Sequence, residues 1–216
     1  MKSATLPVAL TLLFATSPAS AYEPGEFIAR FGAATVAPDA SSTSALGDIA
    51  DVEDSTGFGF SGTWMLSGSV GLEVLAALPF SHDIEGNGAL DGIVVGSTRH
   101  LPPTVSLHWY PQVAGRLQPY VGAGLNYTVF FGEETTQALT TALSATRTDI
   151  ALDDSFGLAL QAGLDYRAGE RWLINAAVWN IDIDTEADVS ANGTPAVIVD
   201  VDIDPWVYMI GAGYRF

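Results

Sequence analysis

Eight stretches of this chain place apolar side chains at every second position and then stop at a turn signal. They run over 26–36, 56–66, 70–80, 94–110, 117–131, 154–167, 172–185 and 197–216. A period of two sends alternate side chains to opposite faces of a strand. An even set of eight, each long enough to cross a bilayer when tilted, predicts an all-β fold, an eight-stranded antiparallel transmembrane β-barrel. The connections alternate too: short at 67–69, 111–115 and 168–170, long at 37–55, 81–93, 132–153 and 186–196. Short periplasmic turns and long extracellular loops are the expected asymmetry, and an even count leaves both ends in the periplasm.

Parity tells which face meets lipid. In the sixth stretch Phe156, Leu158, Leu160, Ala162, Leu164 and Tyr166 point one way, and Gly157, Ala159, Gln161, Gly163 and Asp165 the other. In the third, Val70, Leu72, Val74, Ala76 and Leu78 oppose Gly71, Glu73, Leu75 and Ala77. The greasier set faces outward; a soluble barrel with an apolar interior would invert this. The N-terminus fits export. Lys2, the apolar run 6–15 and the small residues Ala19 and Ala21 form a signal peptide, with cleavage expected after Ala21 and a single barrel over 22–216. Hydrophobic residues reach 48% and charged ones 15%, against roughly 25% charged in soluble domains. Such a composition, exported with no apolar run long enough for a membrane helix, suits the cell outer membrane of a Gram-negative bacterium.

Particular motifs then become informative. The segments "EPGEFIARFGAATVAP" (23–38), "GLEVLAALPFSHDI" (71–84), "RHLPPTVSLHWY" (99–110), "PYVGAGLNYTVFF" (119–131), "WLINAAVWNIDIDT" (172–185) and "DPWVYMIGAGYRF" (204–216) closely resemble the outer membrane protein W (OmpW) family. The similarity touches most of the strands and fades in the long loops. It implies a narrow, largely apolar lumen that passes small hydrophobic molecules, with lateral release into the bilayer. It also implies a hydrophobic constriction at Leu75 and Trp179.

Parity by itself places Arg30, Glu73, Asp165 and Arg215 in the interior near the periplasmic end, two cations and two anions. They are expected to form a lumen charge cluster, either as filling for a small barrel or as a barrier to solutes, since a lone buried charge costs several kcal/mol. Higher up, Leu75 and Trp179 face inward with Ala177, Ile181 and Phe130. An apolar lining favours apolar cargo, although eight-stranded interiors are also simply filled by side chains. Pro79, Pro102 and Pro103 sit toward the outer ends of neighbouring strands. Proline donates nothing to a ladder, so a lateral seam, or a bulge that merely curves the wall, is expected there.

The mature chain keeps seven arginines and no lysine against 25 acids, a net charge of about −18. Twenty of the acids map to the outer side, so nucleic acid is excluded as a partner. Asp182, Asp184, Asp200 and Asp202 repeat at spacing two on adjacent strands, where like charges destabilise pairing. They are speculative metal ligands, shared with lipopolysaccharide phosphates, or a solvated rim. No cofactor is indicated. Ser106 and His108 share a face, but no carboxylate is fixed beside them, and the reading is not an enzyme. A lipid-modifying barrel and an adhesion or structural barrel remain the other classes. The expected partners are outer-membrane lipid and lipopolysaccharide, small hydrophobic solutes and the outer-membrane assembly machinery, for which Tyr214 and Phe216 would supply the terminal aromatic signal.

Overall fold

The structure, a computed structural model, describes residues 21–44, 50–87 and 90–216. Residues 1–20 of the expected leader (1–21) and the loop acid Asp48 lie outside the described residues. In chain order the strands are β1 (Phe27–Ala37), β2 (Ser41–Ser44), β3 (Ala50–Val52), β4 (Ser55–Met65), β5 (Val70–Ala77), β6 (Phe80–Gly86), β7 (Ile93–Leu101), β8 (Thr104–Trp109) and β9 (Leu117–Thr135). A short helix α1 (Gln137–Ala142) precedes β10 (Thr148–Leu152), β11 (Ser155–Arg167), β12 (Trp172–Ile181), β13 (Asp184–Ala191), β14 (Thr194–Asp202) and β15 (Trp206–Arg215).

Eight of these close an antiparallel barrel in the order β11, β12, β15, β1, β4, β5, β8, β9, with β9 returning to β11. Closure removes the free edges that lipid cannot satisfy. The outer face is a belt of exposed apolar side chains, with Phe156, Leu158, Leu160 and Ile210 each 59% exposed or more, while the opposite face buries Glu73 and Asp165 completely. Aromatics ring the periplasmic rim. Trp172 packs edge-on to Tyr214 at 5.0 Å and Tyr214 to Phe216 at 4.8 Å, and the Phe216 amide donates to the Phe27 carbonyl at 2.9 Å.

Two features depart from the expected strands. The third, fourth, seventh and eighth stretches each break at a joint, at 78–79, 102–103, 182–183 and 203–205. Prolines 79, 102, 103 and 205 supply no donor there, and Asp204 takes a positive φ of 36°. The expected long loops at 81–93 and 186–196 are largely strand. β6 and β7 rise as a hairpin, and β13 and β14 meet at a tight turn in which Asn192 and Gly193 have φ of 53° and 77°. Two positive φ values in an Asn-Gly pair suit a type I′ turn, whose twist matches the strands it joins. A second sheet, β10-β13-β14-β2, therefore stands above the lipid belt and walls an outer chamber with β6 and β7.

Candidate functional site

The interior divides into three tiers. At the periplasmic end, Arg30 reaches Asp165 with both Nη2 (2.6 Å to Oδ2) and Nε (3.1 Å to Oδ1), and Nη1 lies 3.3 Å from Glu73 Oε2. All three side chains are fully buried. Tyr22 and Asn175 donate to Asp165 at 2.6 and 2.9 Å, while Ser61 and Thr63 donate to Glu73 at 3.1 and 3.0 Å. A charge this deep is tolerated only when paired and hydrogen-bonded, and of the carboxylate oxygens in the cluster Glu73 Oε1 alone makes no hydrogen bond among the described residues. Tyr120 stacks on His108 at 5.3 Å and lies under the Arg30 guanidinium, centroid at 4.9 Å, filling the remaining width. Inward glycines make room for these rings: a Cβ on Gly163 would collide with Tyr120, and one on Gly122 with His108.

Arg215 does not join this cluster, contrary to the sequence expectation. The register pairs Arg30 with Gly213 and Ile28 with Arg215, so Arg215 sits one inward position nearer the periplasm. There it bonds Glu26 and lies over the Tyr22 ring at 5.3 Å. Tyr22, Tyr110, Tyr120 and Asn175, all of the cluster, were not singled out from sequence. The inward parity of the last three was the available signal.

Above the cluster lies a band of buried polar groups that reaches up to the level of Leu75, whose ladder partner Thr104 accepts from Asn126 at 2.9 Å while Asn126 accepts from Thr128 at 2.7 Å. Ser106 faces His108 Nε2 at 3.4 Å, and Glu73 faces that same nitrogen at 3.5 Å, while Nδ1 meets the Tyr110 hydroxyl. A hydrolytic triad needs its carboxylate on the nitrogen away from the nucleophile, and here that place belongs to a phenol.

The middle tier is apolar. Leu75 and Trp179, 7% and 1% exposed, border a small void of about 20 Å³ with Ala77, Phe80, Pro102 and Met209. Beside it the wall is unpaired. Backbone pairing between β5 and β8 ends at Leu75 with Thr104, and pairing between β6 and β7 begins at Phe80 with His100. Among the described residues no backbone pair joins 76–79 to 101–103. Each lip is instead held from its other side, Leu78 N to Phe58 O and Tyr127 N to Pro103 O, both 3.0 Å. Pro79, Pro102 and Pro103 all lie in this gap.

The outer tier is a cavity of about 130 Å³ lined almost entirely by aliphatic and aromatic side chains, among them Phe130, Leu139, Val189 and Val199. Val36 borders both it and the void at the constriction, so the two are neighbours. The strand faces carrying Ser81, Asp83, Glu85 and Arg99 are charged or polar, which places this tier above the hydrocarbon. His82 and His100 stack in its wall at 4.9 Å. Burial holds His82 below its ordinary range against the partial opposition of Asp54 and Asp83, and burial followed by His82 pushes His100 down to about 3. The folded hairpin thus keeps both rings neutral, whereas an open hairpin takes up protons near ~6.5. Stability is full above that value and is lost as pH falls through it toward the folded value. Amide exchange of β6 and β7, corrected for intrinsic rate, should accelerate between about pH 7 and about pH 4 while β1 and β15 stay protected, and His100→Phe should flatten the response.

Of the four speculative metal ligands, the structure brings Asp182 and Asp184 together with Asp204, oxygens within 4.8 Å of one another and all exposed. Asp202 faces Asp184 across the ladder, and Asp200 faces Glu186. Partial burial, then Asp182, Asp202 and Asp204, holds the Asp184 carboxyl above its usual range.

Comparison with known proteins agrees over the whole barrel. The sequence profile described as OmpW family matches residues 23–216. "Outer membrane protein W" of Vibrio cholerae is 40% identical over 221 residues, covering 100% of both chains. The crystal structure of the outer membrane protein OprG from Pseudomonas aeruginosa superposes with a TM-score of 0.82 at 40% identity, covering 91% of this chain and 98% of that one. The dibenzothiophene metabolism operon protein PahQ, also from Pseudomonas aeruginosa, is 25% identical over 87% of each chain.

Proposed function

The chain belongs to the OmpW family and is an outer-membrane barrel, and we propose that it carries small hydrophobic molecules from the cell exterior and releases them sideways into the bilayer. The observation that carries this reading is the unpaired stretch of wall at 76–79 and 101–103, opening beside the apolar constriction. A guest leaves water for the outer cavity, gaining about 0.8 kcal/mol for each methylene buried. It moves down to Leu75 and Trp179. Below them the buried Arg30, Glu73 and Asp165 network fills the lumen, so the remaining apolar way out is through the lips into lipid. An ion or sugar is rejected by the same lining, which offers almost nothing to replace its hydration. The name of PahQ, from a dibenzothiophene metabolism operon, associates a related chain with an apolar aromatic compound.

In this reading the protein is not an enzyme. Leu75 and Trp179 form the floor that turns the guest toward the seam, and Tyr214 and Phe216 serve recognition by the assembly machinery before insertion. Lipopolysaccharide surrounds the acidic outer rim. Uptake of N-phenyl-1-naphthylamine by intact cells tests the floor. Replacing Leu75 and Trp179 together by alanine lets the guest settle into the polar band beneath, and uptake should fall several-fold. Unchanged uptake would remove the constriction from the route.

A further inference from the structure

One polar atom of a residue that lines the outer cavity has no hydrogen-bond counterpart among the described residues. His82 Nδ1 lies 2.6 Å from the Glu53 carbonyl oxygen. A carbonyl only accepts, so Nδ1 carries the proton, and the neutral ring leaves Nε2 as a bare acceptor. Nε2 is buried with no hydrogen-bond partner among the described residues, and the residue is 3% exposed. The ring lines the cavity. Its neighbours there offer Nε2 no donor. Thr98, its partner across the ladder, turns its hydroxyl to the Arg99 carbonyl, and His100 lies against the ring face. A buried acceptor left unmet is unfavourable, and apart from Thr98 and His100 the rest of the lining is apolar.

We propose that the outer cavity selects amphipathic guests, an apolar ring or short chain ending in a neutral O–H or N–H, and that His82 Nε2 accepts the hydrogen bond from that group. This rests on the transport reading and narrows its substrate class from hydrophobic molecules at large to alcohols, phenols and similar neutral donors. A carboxylate is a poor fit: it has no proton to give, burial keeps His82 uncharged, and the surrounding surface is acidic. The cavity's size is near that of the roughly 150 Å³ apolar cavities that admit a single benzene ring. Phe130, which packs against His100, also lines the cavity, so an aromatic guest finds a ring partner there.

The matched probes are p-cresol and its methyl ether, 4-methylanisole, which keeps the shape and the oxygen but loses the donor. The full barrel in lipid nanodiscs is titrated with each, and occupancy is read from the methyl resonances of Val189 and Val199. The protonation and hydrogen bonding of His82 are read from its ¹⁵N resonances. p-Cresol is expected to bind about five- to ten-fold more tightly than the ether and to shift the Nε2 resonance, which the ether leaves in place. His82→Phe, which keeps a ring to stack on His100, should bind both alike with affinity for the ether unchanged. Equal binding of the two probes by the wild-type protein, or p-cresol binding that leaves Nε2 unmoved, overturns the proposal and leaves the transport reading standing. The wild-type measurement decides this even where the variant fails to fold. Binding of neither probe overturns both.

Discussion

Replacing Arg30 by methionine is expected to destabilise the barrel by about 3–5 kcal/mol, the cost of leaving buried charge without its partner. The substitution keeps much of the side chain's length and removes both bonds from the guanidinium to Asp165 and the one to Glu73. The two carboxylates would then face each other across the lower lumen with only hydroxyl, amide and imidazole partners. Urea unfolding of the protein in lipid, with stability extrapolated to water, reads the loss. Adding Asp165→Asn to Arg30→Met should recover a good part of it, because the amide no longer needs a cation. A loss under ~1 kcal/mol for Arg30→Met would mean that the cluster is hydrated and weakly coupled, the behaviour of an exposed pair. The route above would then lack its closed floor.

Much of this fold is written in the period-two pattern, and so is the part that sequence reading passed over. The outward acids of β13 and β14 stand out at spacing two: Asp184, Glu186 and Asp188, then Asp200 and Asp202. The residues between them, Thr185, Ala187 and Val189 on one strand and Val199 and Val201 on the other, form the inner face of the same sheet and are buried. The expected strands end at 185 and begin again at 197, and taking 186–196 as a loop hid the continuation of the ladder through Glu186 and Asp188, and with it the outer cavity. Asn192–Gly193 between those runs was the hairpin signal that would have recovered it. Leu139 and Ile150 were harder to assign. One reaches the cavity from a six-residue helix capped by Thr136 and the other from a five-residue strand, both too short for a periodic pattern to stand out.

The charged tier was legible by parity but not by depth. Alternation says that Arg30 and Arg215 both point inward; it does not say how far apart they stand along the barrel axis. That depends on the stagger between β1 and β15, which a sequence leaves open, and the register puts Arg215 beside Glu26. His82 was a bare histidine in an expected loop. Its meaning depends on two contacts, with Glu53 from the preceding segment and with His100 on the next strand. Prolines behaved differently: a residue without an amide proton donates nothing to a ladder, and Pro79 and the Pro102–Pro103 pair fall in the gap, whereas Pro119 is accommodated within β9 opposite Leu164.

Sideways release makes the seam indispensable, and the chain has no cysteine to complicate a cross-link. Ala77 and Pro102 lie on opposite lips and line the same small void. With both changed to cysteine and bridged by a short bis-methanethiosulfonate reagent, the lips cannot part, while the constriction and the outer cavity remain. Intact cells carrying the bridged protein should take up N-phenyl-1-naphthylamine no faster than cells without the barrel, and reductant should restore the wild-type rate. Each single-cysteine protein treated with the same reagent should stay active. Uptake that persists at the wild-type rate in the bridged protein would contradict lateral release and return the route to the lumen.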